Sequence, residues 1–272
     1  MFAHTSVIAH GMFITACCAV LVVYGICWVG SPRRSAVRLW SWAGGLVALA
    51  ASTAPTVERW ATSSFTGHMV QHLLMIVVAA PLLVIARPVA TMATRWSPVW
   101  FRGRAHRRAA SWWREAGPLV APGLFLATLY VTHLTGIYDT ALGNQVIHDL
   151  EHLAYLASAC ALWWVVMAAG RSNSPRRVGA VFGVIGGSAL LGVVLLSGTT
   201  PLVPTYAAEL GVEAALDDQR AAASLMWVGG MAITLPLLIV SVWRWAAAEE
   251  RIARRAESAR DDQAVLVPLK RK

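Results

Sequence analysis

Apolar residues along this chain come in long blocks, separated by short stretches rich in Arg, Gly, Pro and Ser. Seven blocks are long enough to cross a bilayer: about Val7 to Val29, Val37 to Ala54, Phe65 to Ala86, Leu119 to Thr135, Gln145 to Ala168, Val178 to Ser197 and Ala221 to Trp245. Each approaches the roughly 20 apolar residues that a helix needs to traverse the hydrocarbon core. Inside that core every backbone N–H and C=O must be paired within the protein, and a helix does this locally. Pro81 and Pro236 fall inside blocks, where each predicts a kink. The expected fold class is all-α. It is a polytopic membrane protein, a seven-transmembrane-helix bundle over residues 1–247 with a charged tail over 248–272.

Composition agrees with this reading. Of 272 residues, 57% are hydrophobic and 14% are charged, which is too apolar for an ordinary soluble domain. The net charge of +9 matters through its placement. Arg33, Arg34 and Arg38 lie between blocks one and two. Arg87 and a dense run from Arg95 to Arg114 lie between three and four. Arg171, Arg176 and Arg177 lie between five and six, and the tail ends Lys270-Arg271-Lys272. The alternate connections hold only Arg59 and Arg220 as cations, with Glu58, Asp139, Glu209, Glu213, Asp217 and Asp218. This asymmetry predicts the N-terminus outside and the C-terminus cytoplasmic. Trp28, Trp40, Trp42, Trp163, Trp164, Trp243 and Trp245 would form an aromatic belt at the inner boundary.

Smaller features change the picture little. Met1 to Ser6 carries no basic region ahead of the first block, so no cleavable signal peptide is expected. Cys17, Cys18, Cys27 and Cys160 all fall inside blocks and read as small apolar side chains, although the Cys17-Cys18 pair has soft-metal chemistry. From Arg95 to Glu115 the sequence RWSPVWFRGRAHRRAASWWRE alternates Arg with Trp and Phe. That pattern predicts a loop on the inner membrane surface in contact with lipid, and no nucleic-acid partner. The tail reads as a helical extension that frays into a solvated end.

Histidine is the residue type that the membrane reading does not absorb. His68 and His72 open the third block, and His148 and His152 open the fifth. Each pair is spaced i, i+4, so both imidazoles lie on one helix face. His133 closes the fourth block. On the topology set by Arg and Lys alone, these five residues fall within roughly 4–12 Å of the outer boundary, at about 1.5 Å of rise per residue. His10 belongs to the same outer end, His4 lies outside, and His106 is cytoplasmic. Ionisable residues are costly in a bilayer and face a bundle interior or a wet cavity.

Ligand-competent neighbours share that layer. Gln71 stands three residues from His68, Glu151 three from His148, Asp149 three from His152 and Met75 three from His72. Each carboxylate has the spacing to orient an imidazole. Asp217, Asp218 and Gln219 enter the outer end of the seventh block, with Met226 and Trp227 two turns deeper. Imidazole-rich sites with few carboxylates suit copper or zinc better than calcium or magnesium. Two other readings stay open: interhelical hydrogen bonding without metal, and haem ligation, against which the shallow depth counts.

Four segments occur here in the order in which they occur in a known family. They are HMVQHLLMIVVAAPLLVIARP from His68, HLTGIYD from His133, HDLEHLAYLASACALWW from His148 and DDQRAAASLMW from Asp217 to Trp227. On them the chain resembles CtaG, the multi-spanning assembly factor for cytochrome c oxidase, over about Val7 to Trp245. Ala223-Ser224 departs from a Gly-containing step common in that family. The resemblance implies a seven-helix protein of the bacterial plasma membrane, needed for active haem–copper oxidase. It implies a role in placing a copper ion in the oxidase at subunit I. His68 and His72 fall on the family's first motif, His148 and His152 on its second, and Asp218, Gln219, Met226 and Trp227 on its third. His133 is a fifth candidate ligand. Expected partners are cytochrome c oxidase subunits, membrane lipid and a copper donor that is a separate protein. The short connection between blocks two and three is expected to offer little structure for docking a partner. No catalytic residue is expected on this reading. The competing class is a seven-helix intramembrane zinc-dependent hydrolase, with Asp149, Glu151 or Asp218 as its base.

Overall fold

A computed structural model describes residues 2–31, 34–93, 104–167 and 175–266. Among the described residues there is helix and no strand. Helix α1 spans Phe2–Val29, α2 Ala36–Ser52 and α3 Pro55–Ser63. A continuous rod follows: α4 (Phe65–Leu73), a π-helical segment (Leu74–Ala79) and α5 (Ala80–Ala86). The short α6 (Pro88–Met92) precedes α7 (Arg104–Leu134), α8 (Ile137–Gly143), α9 (Gln145–Met167), α10 (Pro175–Ser197), α11 (Pro204–Leu210) and α12 (Val212–Leu266).

Six stretches among the described residues are long and apolar enough to cross a membrane: His10–Val29, Phe65–Met92, Glu115–Leu134, Gln145–Met167, Pro175–Ser197 and Val212–Ser258. The chain therefore reads as a multi-pass membrane protein. The remaining expected block is α2, whose 17 residues sit at the short end of a span. Other boundaries move. Helix α7 starts at Arg104, so the second half of the expected basic loop is helix; Arg95 to Gly103 lies outside the described residues, as do Arg33, Arg171 and Lys270 to Lys272. Helix α12 starts at Val212 rather than Ala221 and runs through Leu266, so the helix carries Asp217 and Asp218 and much of the tail. The connection expected to hold little structure is α3, which packs on α4.

The rod from α4 to α5 is the centre of the bundle, in contact with α2, α9 and α12. Three apolar clusters surround it. Phe65, Met69, Leu129, Tyr138, Tyr155, Leu191 and Met226 pack at the α4 end. Ala80, Phe125, Ala159, Leu162 and Trp163 pack in the middle. Tyr24, Trp42, Leu46 and Ala86 pack near α1 and α2. Large apolar side chains such as Val47, Leu153, Phe182, Leu190 and Val228 are exposed around the outside, as a lipid-facing surface requires. The expected tryptophan belt is only partly outward. Trp40, Trp164 and Trp243 are exposed, whereas Trp42 and Trp163 are buried.

Trp163 is turned inward for a reason set by Pro81. In the π segment the Ala80 N–H bonds the Met75 carbonyl, five residues back. The next bond in that pattern would run from residue 81 to Ile76, but proline has no N–H. The Ile76 carbonyl instead accepts the Trp163 indole N–H at 2.7 Å. Helix α5 ends at Arg87, a non-glycine residue with φ of 50°, and the Ala86 carbonyl accepts the buried Tyr24 hydroxyl at 2.8 Å.

Replacing Trp163 by Phe therefore leaves the part-buried Ile76 carbonyl unpaired, at a cost of about 1–3 kcal/mol. The loss shows as a lower unfolding midpoint in detergent. In a Pro81→Ala background the new N–H can take the Ile76 carbonyl, and the Trp163→Phe penalty shrinks.

Candidate metal centre

Both histidine pairs sit at the start of a helix, and both starts are tied down by side chains. Ser64 precedes α4 in extended conformation, and its hydroxyl accepts the Gly67 N–H at 2.9 Å. The Asp218 carboxylate, from α12, accepts the Phe65 N–H at 2.6 Å and the Thr66 N–H at 3.2 Å. The His68 N–H then makes the first backbone bond, to the Ser64 carbonyl. Every N–H of the first turn is thus paired, and the carboxylate sits where the helix dipole favours it. Asn144 plays the same part for α9: its Oδ1 accepts the Val146 and Ile147 N–H groups at 3.0 and 3.3 Å. In each helix the two histidines occupy the fourth and eighth positions.

The two helices bring these faces together. His68 Nε2 and His72 Nε2 are 3.0 Å apart. One ligand nitrogen from each of His68, His72 and His152 falls within 4.8 Å of the others. The His148 ring lies 4.1 Å from that of His152 and 5.7 Å from that of His68, centre to centre. His68 and His72 are buried, and so is His152 Nε2, although the His152 ring as a whole is half-buried. Tyr138 covers the His68 ring at 4.5 Å and Tyr155 covers the His72 ring at 4.3 Å. Burial pushes the Tyr138 and Tyr206 phenols well above the usual range, so both stay neutral. Tyr206 donates to the Ala61 carbonyl at 2.6 Å, and the Tyr138 hydroxyl, 3.2 Å away, is left to donate to Tyr206.

His133 stands apart from the trio. Its Nδ1 lies 2.9 Å from the Leu129 carbonyl, which can only accept, so Nδ1 carries the proton. Its Nε2 is buried without a protein partner, beside Phe65 and Tyr138. His10 is elsewhere, against Thr53 at 3.4 Å.

The other expected residues separate sharply. Glu151 is buried beside the cluster, with Oε2 at 4.0 Å from His68 Nε2 and no hydrogen bond to either oxygen. Asp149 does not support an imidazole: it is exposed and accepts the Gln145 side chain at 2.9 Å. Gln71 donates to the Ser52 carbonyl at 2.9 Å and to Glu58 at 2.8 Å. Asp218 is a helix cap. Gln219 accepts the Leu202 N–H and donates to the Leu195 carbonyl, fastening α12 to the end of α10. Met226 belongs to the apolar cluster, and Trp227 packs across Gly192. Glu58 is the residue that the sequence reading did not single out; its Oε1 lies 3.6 Å from His148 Nδ1.

This donor set fits a transition-metal ion. Two imidazole nitrogens bound to one tetrahedral ion at about 2.0–2.1 Å each sit roughly 3.3 Å apart, close to the His68–His72 spacing. His68 Nδ1, His72 Nδ1, His148 Nε2, His152 Nε2 and both Glu151 oxygens are buried without a hydrogen-bond partner among the described residues. Native interiors hold few such atoms, and a concentrated group of them calls for a partner such as a water or an ion.

Over residues 22–248 the chain matches the family described as cytochrome c oxidase caa3 assembly factor (Caa3_CtaG), and it belongs to that family. An uncharacterised protein of Mycobacterium tuberculosis (strain CDC 1551 / Oshkosh) is 23% identical over 242 residues, covering 82% of this chain and 36% of the relative. An uncharacterised protein of Mycobacterium leprae (strain TN) is 25% identical over 245 residues, with the same coverage of each chain. The chain thus spans about a third of the length of the curated relatives it matches. No solved structure matches it.

Two adjacent aspartates separate capping from surface charge. Asp218→Ala removes the carboxylate from two helix N–H groups and lowers stability by about 1–2 kcal/mol. Asp217→Ala removes only an exposed pair with Arg220 and changes it by less than about 1 kcal/mol. Unfolding in detergent, with the two variants side by side, reads the difference.

Proposed function

We propose that this CtaG-family protein assists cytochrome c oxidase assembly by holding a copper ion as cargo and delivering it to the oxidase. The observation that carries this reading is the His68, His72 and His152 trio, with His148 beside it and its unpaired nitrogens buried together. The family supplies the oxidase as recipient; the donor set supplies the cargo.

On this reading α2 is a seventh span, and the bundle occupies residues 1–247 with a cytoplasmic tail after it. The positive-inside rule then puts the N-terminus and the histidine cluster at the outer face of the bacterial plasma membrane. Imidazole binds copper in both common oxidation states. The N-terminal ends of α4 and α9 present positive dipole ends to a bound cation. Asp218 already offsets the α4 dipole. A site made of separate helices, with partners drawn from different spans, can open toward a second histidine site, so transfer proceeds by ligand exchange. The recipient is an oxidase subunit.

One observation favours a second reading, a zinc-dependent hydrolase. Glu151 is an unpaired buried carboxyl beside three imidazoles, the arrangement that a general base on a metal-bound water needs. Asp149 and Asp218 drop out of that scheme, the first by exposure and the second by capping.

Purified protein loaded with Cu(I) and desalted decides between the two. Wild type is expected to retain about one copper per chain, a mononuclear imidazole site. His72→Ala/His152→Ala is expected to lose it and to leave cells short of active cytochrome c oxidase. Zinc in the protein as isolated, with no copper uptake, favours the hydrolase. Full oxidase activity in the double variant overturns the proposal.

A further inference from the structure

The Glu58 side chain lies between the edge of the bundle and the histidine cluster, and its setting is built from three directions. Helix α3 starts at Pro55, and the Glu58 N–H closes its first turn on the Ala54 carbonyl at 2.8 Å. The helix is pressed onto α4 at Gly67. A Cβ there would stand 2.6 Å from the Trp60 carbonyl oxygen, so only glycine allows this approach. Gln71, on α4, then uses its amide nitrogen twice, on the Ser52 carbonyl and on Glu58 Oε2. One carboxylate oxygen is thereby fixed. The other, Oε1, faces His148 Nδ1 at 3.6 Å.

His148 is buried, and its second ring nitrogen, Nε2, has no protein partner. If the His148–Glu58 pair were only interhelical glue, it would leave that nitrogen buried and unpaired, which is costly. A carboxylate on one ring nitrogen with the other turned toward a metal is the usual way a histidine ligand is oriented. From this geometry we infer that Glu58 is a positioning residue that presents His148 Nε2 as the fourth imidazole of the cluster, beside His68, His72 and His152. The inference rests on the metal reading above. It extends the site to a residue of α3, and it gives Gln71 a role two steps from the ion: it holds the carboxylate that holds the ligand.

The test is a Cu(I) competition titration against a chromophoric chelator, using the full chain in detergent. Wild type is compared with Glu58→Ala, Glu58→Gln, His148→Ala and Glu58→Ala/His148→Ala. Removing a ligand-orienting carboxylate weakens metal binding about 10–100-fold, and Glu58→Ala is expected to fall in that range. Glu58→Gln keeps one acceptor oxygen and is expected to lie between wild type and Glu58→Ala. In the His148→Ala background, Glu58→Ala is expected to add less than about 3-fold, because the ligand it positions is gone. A folding defect would weaken binding equally in both backgrounds, so additive losses overturn the inference, as does wild-type affinity in Glu58→Ala. A wild type that binds neither Cu(I) nor Zn²⁺ overturns the metal reading itself, and the inference with it.

Discussion

The site depends on one carboxylate. Asp218 reaches from α12 to the first two N–H groups of α4, so the helix that carries His68 and His72 begins where α12 places it. The bond is charge-assisted and set at the positive end of a helix dipole, where a carboxylate contributes most. Gln219, the next residue, fastens α12 to the Leu195 carbonyl and the Leu202 N–H. Adjacent side chains of one helix thus fix the start of the histidine helix and the end of α10. With α4 placed, α9 completes the cluster by bringing its own capped start alongside.

A cluster of buried imidazoles is destabilising unless its nitrogens are used. Tyr138 and Tyr155 cover two of the rings without bonding their nitrogens. Polar groups without partners in a membrane interior are expensive. Elsewhere Trp163 takes up the Ile76 carbonyl that Pro81 orphans, while the Trp42, Trp113 and Trp227 indole nitrogens are buried without a partner among the described residues. The cluster gathers four unpaired imidazole nitrogens and both Glu151 oxygens; an ion held through His68 and His72 Nε2 would use the His148 and His152 Nε2 atoms and leave the two Nδ1 atoms as they are.

Much of this was legible in the sequence. The i, i+4 spacing put two imidazoles on one face of each helix, and the Arg distribution alone put both pairs at one end of the bundle. Ser64 and Asn144 stand where helix caps belong. What escaped was whatever depends on how helices meet. Asp149 and Glu151 have equivalent spacings to a histidine, and only the face that α9 turns to α4 separates the buried residue from the exposed one. Asp218 read as a supporting residue of the site; the earlier start of α12 makes it a cap of α4. Glu58 read as loop charge, because its role needs Gly67 for the close approach of α3 and Gln71 for orientation. The π segment was hidden as well, since its stabilising partner lies 87 residues away along the chain.

The central claim is that imidazoles from two helices, and no sulfur, hold one metal ion. X-ray absorption at the copper edge of the Cu(I)-loaded wild-type protein tests it most directly. The account predicts a first shell of nitrogen alone, with the outer-shell scattering of about three to four imidazoles. A shell containing sulfur would assign the metal to cysteine or methionine side chains elsewhere and contradict the account.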